Sequence, residues 1–219
     1  MIILSLSDIH GNISKIKNIK KEIESADIVL LSGDITNFGR EKEIKEIISQ
    51  IKSINSQILA VSGNCDFPEV DEFLNKEGIN LHGKAKIINN VVFIGLGGSL
   101  KTPFGTPNEV TEESFQKVLK DASKELPCEY PIILLSHNPP INTLCDKLST
   151  GVSVGSVAVR NFIEKFNPLI CFTGHIHEAD SIDTIGKTTI INPGNFIKGQ
   201  YAYASISANI KEVLIKNII

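Results

Sequence analysis

The chain has 219 residues, 42% of them hydrophobic, and a net charge of −3, so it can bury a sizeable core and carries no global basic field for nucleic acid or an anionic membrane. Trp is absent and aromatic residues make up 6%, which argues against a base-stacking surface. The four cysteines, Cys65, Cys128, Cys145 and Cys171, include no C-x-x-C pair, and they read as reduced thiols rather than a disulfide framework or a zinc ribbon.

The N-terminal apolar run is too short for a signal peptide, and no stretch is long enough to span a bilayer. These features read as a soluble cytoplasmic protein. No Pro/Gly/Ser-rich linker divides the chain, so one domain over residues 1–219 is expected.

Ile2, Ile3, Leu4 and Leu6 form an apolar run that suits a strand buried on both faces. It ends in Ser7-Asp8-Ile9-His10-Gly11-Asn12. Asp8 and His10 can aim at one point from a strand end, and Gly11 allows a sharp turn after them. Apolar Ile16, Ile19 and Ile23 predict a helix over 14–24, with Asn12 or Ser14 as its cap.

A second buried strand is expected at 27–31, ending in Ser32-Gly33-Asp34. An amphipathic helix over 41–54 places Ile44, Ile47, Ile48 and Ile51 on one stripe. A third strand at 58–61 ends in Gly63-Asn64-Cys65-Asp66. Strand–helix–strand–helix–strand order predicts a parallel sheet with right-handed crossovers, in which ligands sit beyond the carboxyl ends of the strands.

A short helix at 70–75 is followed by a predicted strand pair, 79–83 with 85–88, and a tight turn at Asn89-Asn90 into a strand at 91–94. This change of pattern opens a second sheet. The glycine-rich stretch Gly95-Leu96-Gly97-Gly98-Ser99 lacks a complete G-x-G-x-x-G and reads as a loop.

A Pro-rich loop at 104–107 precedes a helix over 110–125. A buried strand at 131–135 ends in His137, and Pro139-Pro140 halt regular structure after it. A helix over 156–166, with Val157, Phe162, Ile163 and Phe166 inward, leads to a strand at 169–173 that ends in Gly174-His175-Ile176-His177. Strands at 182–185, 188–191, 203–206 and 213–215 are expected to complete the second sheet.

Five apolar runs thus end in metal-capable residues: Asp8 with His10, Asp34, Asn64, His137, and His175 with His177. Four of the five histidines lie at such ends, and packing histidines have no reason to cluster there. Asp, His and Asn together suit Mn, Fe, Zn, Ni or Co better than calcium. Seven ligands exceed one tetrahedral zinc and suit two cations sharing a carboxylate, about 3.5–4 Å apart. His82 reads as a turn residue and Arg160 as a surface or ion-pair residue, while Asn12, Asn138 and Asn195 either touch a ligand or shape turns.

In this order the motifs resemble those of the calcineurin-like metallophosphoesterases. They are D-x-H (Asp8, His10), G-D (Gly33, Asp34), G-N-x-D (Gly63, Asn64, Asp66), a lone His137, and G-H-x-H (Gly174, His175, His177). The loops Gly97-Gly98-Ser99, Thr102-Pro103 and Asn192-Pro193-Gly194 also look like the Icc-like branch.

The resemblance implies a four-layer α/β/β/α sandwich of two mixed sheets flanked by helices. It also implies hydrolysis of a small phosphoester by a hydroxide activated between two divalent cations, with manganese the expected metal. Asp8, His10 and His177 would hold the first cation, Asn64, His137 and His175 the second, and Asp34 would bridge them. Asp34, Asn64, Asp66 and His137 would be the catalytic group.

Many relatives have His after the Asn of G-N-x-D, whereas this chain has Cys65. A thiol replaces imidazolium poorly, so alkyl monoesters should suffer most and phosphodiesters are the expected substrates. Cys65 reads equally as a small buried loop residue. A monoesterase, a metal-dependent nuclease and a metal-binding interaction scaffold are the rival readings. Physiological substrate and oligomeric state are not legible.

Overall fold

A computed structural model of the chain describes residues 1–127 and 129–218, and Cys128 lies outside them. Two sheets pack face to face, each with helices on its outer side. The strands alternate their apolar side chains between two cores, which explains why their sequences are apolar throughout.

In β1 (Ile2–Leu6), Ile3 faces the other sheet while Leu4 and Leu6 face the helices. In β2 (Ile28–Ser32), Ile28 and Leu30 point inward and Val29 and Leu31 outward. In β3 (Ile58–Val61), Leu59 and Val61 join the inter-sheet core.

The outer core of this sheet is sealed by α1 (Lys20–Ser25), α2 (Glu41–Lys52) and α3 (Pro68–Lys76), through Ile23, the stripe Ile44, Ile47, Ile48 and Ile51, and Val70, Phe73 and Leu74. The expected helix over 14–24 starts instead as a 3-10 turn, Ile16–Ile19, with no side-chain cap. Asn12 Oδ1 accepts from Ser14, so both expected caps bond each other.

The chain then crosses to the second sheet. Residues 79–83 are not a strand paired with 85–88. They form one parallel bridge to β3, Ala60 with Asn80, and one to the other sheet, His82 with Gly95. The segment therefore joins the sheet edges. Next, β4 (Ala85–Ile88) and β5 (Val91–Leu96) form a hairpin whose turn residues Asn89 and Asn90 both have positive φ, 50° and 62°.

Short β6 (Ser99–Leu100) and β7 (Glu109–Val110) pair in parallel and close the base of the loop at 101–108. Helix α4 (Glu112–Ala122) starts two residues later than the sequence suggested, capped by Thr111. Strand β8 (Ile132–Ser136), helix α5 (Val157–Phe166) and strand β9 (Ile170–Phe172) follow. Ser156 caps α5, so Val157 falls in its first turn and is exposed rather than inward. Glu112 of α4 accepts from Val157 N and Ala158 N and completes this cap.

Strands β10 (Ser181–Ile185) and β11 (Thr188–Asn192) finish the second sheet, in the order β10-β11-β9-β8-β5-β4. Strands β12 (Gln200–Ile206) and β13 (Ile210–Asn217) do not join it as expected. They return to the first sheet, where β12 lies antiparallel to β1, giving β13-β12-β1-β2-β3. The result is the four-layer α/β/β/α sandwich. Among the described residues no helix is long and apolar enough to cross a membrane.

Candidate metal centre at the strand ends

The loops after β1, β2 and β3 meet those after β8 and β9 at one end of the sandwich. The backbone there is strained where it presents side chains. Asp8, His10, Asp34 and His175 all have left-handed φ, between 45° and 68°. Such conformations in non-glycine residues cluster at functional sites. Backbone bonds hold the turns: Asp8 N donates to Gly33 O at 3.1 Å and His10 N to Asp34 O at 2.9 Å.

Two motif glycines are required by close approach. A Cβ on Gly63 would overlap Asp34, and one on Gly174 would overlap Ser7 and Asp8.

Two clusters of donor atoms form around Asp34. In one, His177 Nε2 lies 3.1 Å from Asp8 Oδ1 and 3.2 Å from His10 Nε2, which is 3.8 Å from Asp34 Oδ2. In the other, His137 Nε2 lies 3.0 Å from Asn64 Oδ1 and 3.5 Å from Asp34 Oδ1, and the His175 ring stands 5.1 Å from the His137 ring. The two oxygens of Asp34 thus face different histidines.

The hydrogen bonding tests whether a cation fits. His137 Nδ1 is 2.7 Å from the Ser32 carbonyl, so Nδ1 carries the proton and Nε2 keeps a lone pair that could hold a cation. Nε2 faces two acceptors, Asn64 Oδ1 and Asp34 Oδ1. The Asn64 amide is oriented by Nδ2, which donates to Thr106 Oγ1 at 3.1 Å. Lone pairs therefore converge, and this mixed N/O set suits a first-row divalent cation.

Protonation leans the same way. Burial opposes ionisation of Asp8, but the hydrogen bond and charge of His177, with the Ser7 hydrogen bond, outweigh it and hold the carboxyl at about 2. Burial keeps His10 below its usual value and drives His175 to about 4. His177 moves the other way because it bonds Asp8. His137 is fully buried while the His177 side chain is 40% exposed, so the cluster opens to solvent on the His177 side.

All eight residues singled out in the sequence meet here, but Asp66 stands apart from the converging lone pairs. Its carboxylate accepts from Gly63 N, Ile35 N, Thr36 N and Thr36 Oγ1 at 2.7–3.1 Å and ties the Asp34 loop to the Asn64 loop. Burial and the Asp34 charge push it up to about 6, against the pull of these donors.

Cys65 donates its backbone N–H to Asp34 Oδ1 at 2.8 Å. Burial, then Asp34, push its thiol far up, so it stays protonated. Arg160 holds Ile141 O and Asn142 O and pairs with Glu164, away from any phosphate role. Asn138 accepts from Leu100 N, and Asn195 caps the turn Phe196–Lys198. His82 accepts from Gly97 N. Sequence reasoning missed Thr106, Glu109 and Thr36, whose only signal was a place in polar loops.

A sequence model of the calcineurin-like phosphoesterases matches residues 1–179. An uncharacterized protein of Methanocaldococcus jannaschii is 41% identical over 197 residues, 88% of each chain. The 3′,5′-cyclic adenosine monophosphate phosphodiesterase CpdA of Haemophilus influenzae is 22% identical over 201 residues, 84% of this chain and 66% of its own. A crystal structure of a protein from Thermus thermophilus superposes with a TM-score of 0.79 at 18% identity, covering 100% of this chain and 99% of that one.

Proposed function

The chain belongs to the calcineurin-like phosphoesterase family, and we propose that it hydrolyses small, nucleotide-like phosphodiesters at a site holding two divalent cations. One observation carries this reading. Asp34 turns Oδ2 towards His10 and Oδ1 towards His137, so one carboxylate serves both donor clusters.

Asp8, His10 and His177 would hold one cation, Asn64, His137 and His175 the other, and Asp34 both. When bound, such a pair supplies Lewis-acid charge that activates water and neutralises phosphoryl oxygens.

The chain's own residues prepare this site. The Ser32 carbonyl fixes the His137 tautomer. The Cys65 N–H orients Asp34, and Asp66 locks the two loops that carry Asp34 and Asn64. We assign Asp66 a positioning role. The open His177 side admits substrate.

Cys65 supports a diester preference. Its protonated thiol cannot deliver charge to a leaving alkoxide as imidazolium would. The name of the Haemophilus relative, a cyclic-nucleotide phosphodiesterase, points the same way. Both sheets supply ligands, which supports a single domain. Free Cys65, Cys145 and Cys171 fit a reducing cytoplasm. Manganese is the metal of choice for a test.

The experiment compares a chromogenic diester with its matching monoester, using metal-stripped protein with and without manganese. Manganese-dependent turnover, faster on the diester, is the expected result. Faster monoester turnover would reverse the substrate preference, and no turnover with any first-row metal would favour the interaction scaffold.

A further inference from the structure

An asparagine ligand poses a problem of direction. Its amide has the same shape either way round, but only the oxygen can ligate a cation. Some group must therefore recognise the nitrogen end. Asn64 Nδ2 donates to Thr106 Oγ1 at 3.1 Å, with Cys65 Sγ a weaker acceptor at 3.5 Å.

A hydroxyl alone does not settle the matter, because it can donate as readily as accept. Here its proton is already committed. Thr106 Oγ1 donates to Glu109 Oε1 at 2.7 Å. A carboxylate accepts only, so the Thr106 hydroxyl must offer its lone pair to Asn64.

We propose that Thr106 and Glu109 are positioning residues, a relay that fixes the polarity of the Asn64 amide so that Oδ1 is presented beside His137. The proposal rests on the two-cation reading above.

The rest of the loop is built around this relay. The same Glu109 oxygen accepts from Thr106 N at 2.8 Å and Thr102 Oγ1 at 2.6 Å, gathering both arms of the loop. The bonds from Thr102 and then Thr106 hold the Glu109 carboxyl at about 2, so it is ionised and accepts at neutral pH. Asn108 docks the loop on the Asn64 turn: its N donates to Asn64 O at 3.0 Å and its Nδ2 to Gly63 O at 3.0 Å. The β6–β7 ladder closes the base. Orientation by such outer partners is typically worth 10–100-fold in metal affinity.

The test is manganese titration by calorimetry of wild type, Thr106→Val, Thr106→Ser and Glu109→Gln, with the melting temperature of each metal-free protein. Valine keeps the shape and removes the acceptor, and serine restores it. The expected result is that Thr106→Val weakens one of two manganese sites by 10–100-fold. Thr106→Ser should match wild type, and Glu109→Gln should weaken the same site.

Two tight sites in Thr106→Val would overturn the relay and leave the two-cation reading standing. Equal losses in the Val and Ser variants, with a lower melting temperature, would also overturn it, by showing a structural role alone. Fewer than two sites in the wild type would overturn the two-cation reading and the relay with it.

Discussion

The Nε2 atoms of His10 and His177 face each other at 3.2 Å, although the residues leave different strands of different sheets. Two ring nitrogens at that separation share at most one proton, so the pair gains from a cation. Manganese added to metal-stripped protein should therefore stabilise the fold. At a free concentration one hundred times Kd the gain is about 2.7 kcal/mol, or about 5–10 °C in melting temperature for a chain of this size. Calorimetry should show this shift in the wild type and a much smaller one in His177→Ala.

Cys65 sits beside Asp34 with its thiol held protonated. Cys65→His would supply an imidazole there. General acid catalysis is typically worth 10²–10⁴-fold. The ratio of kcat/KM for an alkyl phosphomonoester to that for the chromogenic diester should rise at least about tenfold. An unchanged ratio would leave Cys65 as a packing residue.

Glu112 joins two helices. Its carboxylate accepts from Val157 N, Ala158 N and Ser156 Oγ at 2.7–3.0 Å. Glu112→Ala should cost about 1–2 kcal/mol in urea unfolding, because the first turn of α5 loses its acceptors. Glu112→Gln keeps one acceptor oxygen and should cost less.

His82 joins the sheet edges, with Nδ1 accepting from Gly97 N at 2.9 Å. Burial, reinforced by Lys84 and opposed by Asp71, lowers its pKa below the ordinary 6.5. The unfolded chain therefore binds the proton more tightly. The stability His82 contributes is present above about pH 6.5 and is lost as pH falls below that through the folded pKa. NMR titration should place the His82 midpoint below 6.5, and His82→Asn should flatten this part of the stability–pH curve.

Local pattern carried most of the fold. The apolar runs within 27–31 and 131–135 identified buried strands, and the candidate ligand positions followed from where those runs stop. Sheet membership was not legible for β12 and β13. Their alternation fits either sheet, and only the free edge of β1 decides where they pair. Residues 79–83 are β-like in sequence but meet a different sheet at each end, so no ladder forms. In the site, spacing brought Asp66 into the Asn64 loop, yet its four donors come from the turn after β2 as well as its own. Thr106 was hidden because its partner Asn64 is 42 residues away.

The most direct test is manganese stoichiometry and electron paramagnetic resonance of the wild type beside Asp34→Asn. The account predicts two manganese ions per wild-type chain with the signature of an exchange-coupled pair, and loss of that coupling in Asp34→Asn. A single uncoupled ion in the wild type, or coupling that survives Asp34→Asn, would contradict it.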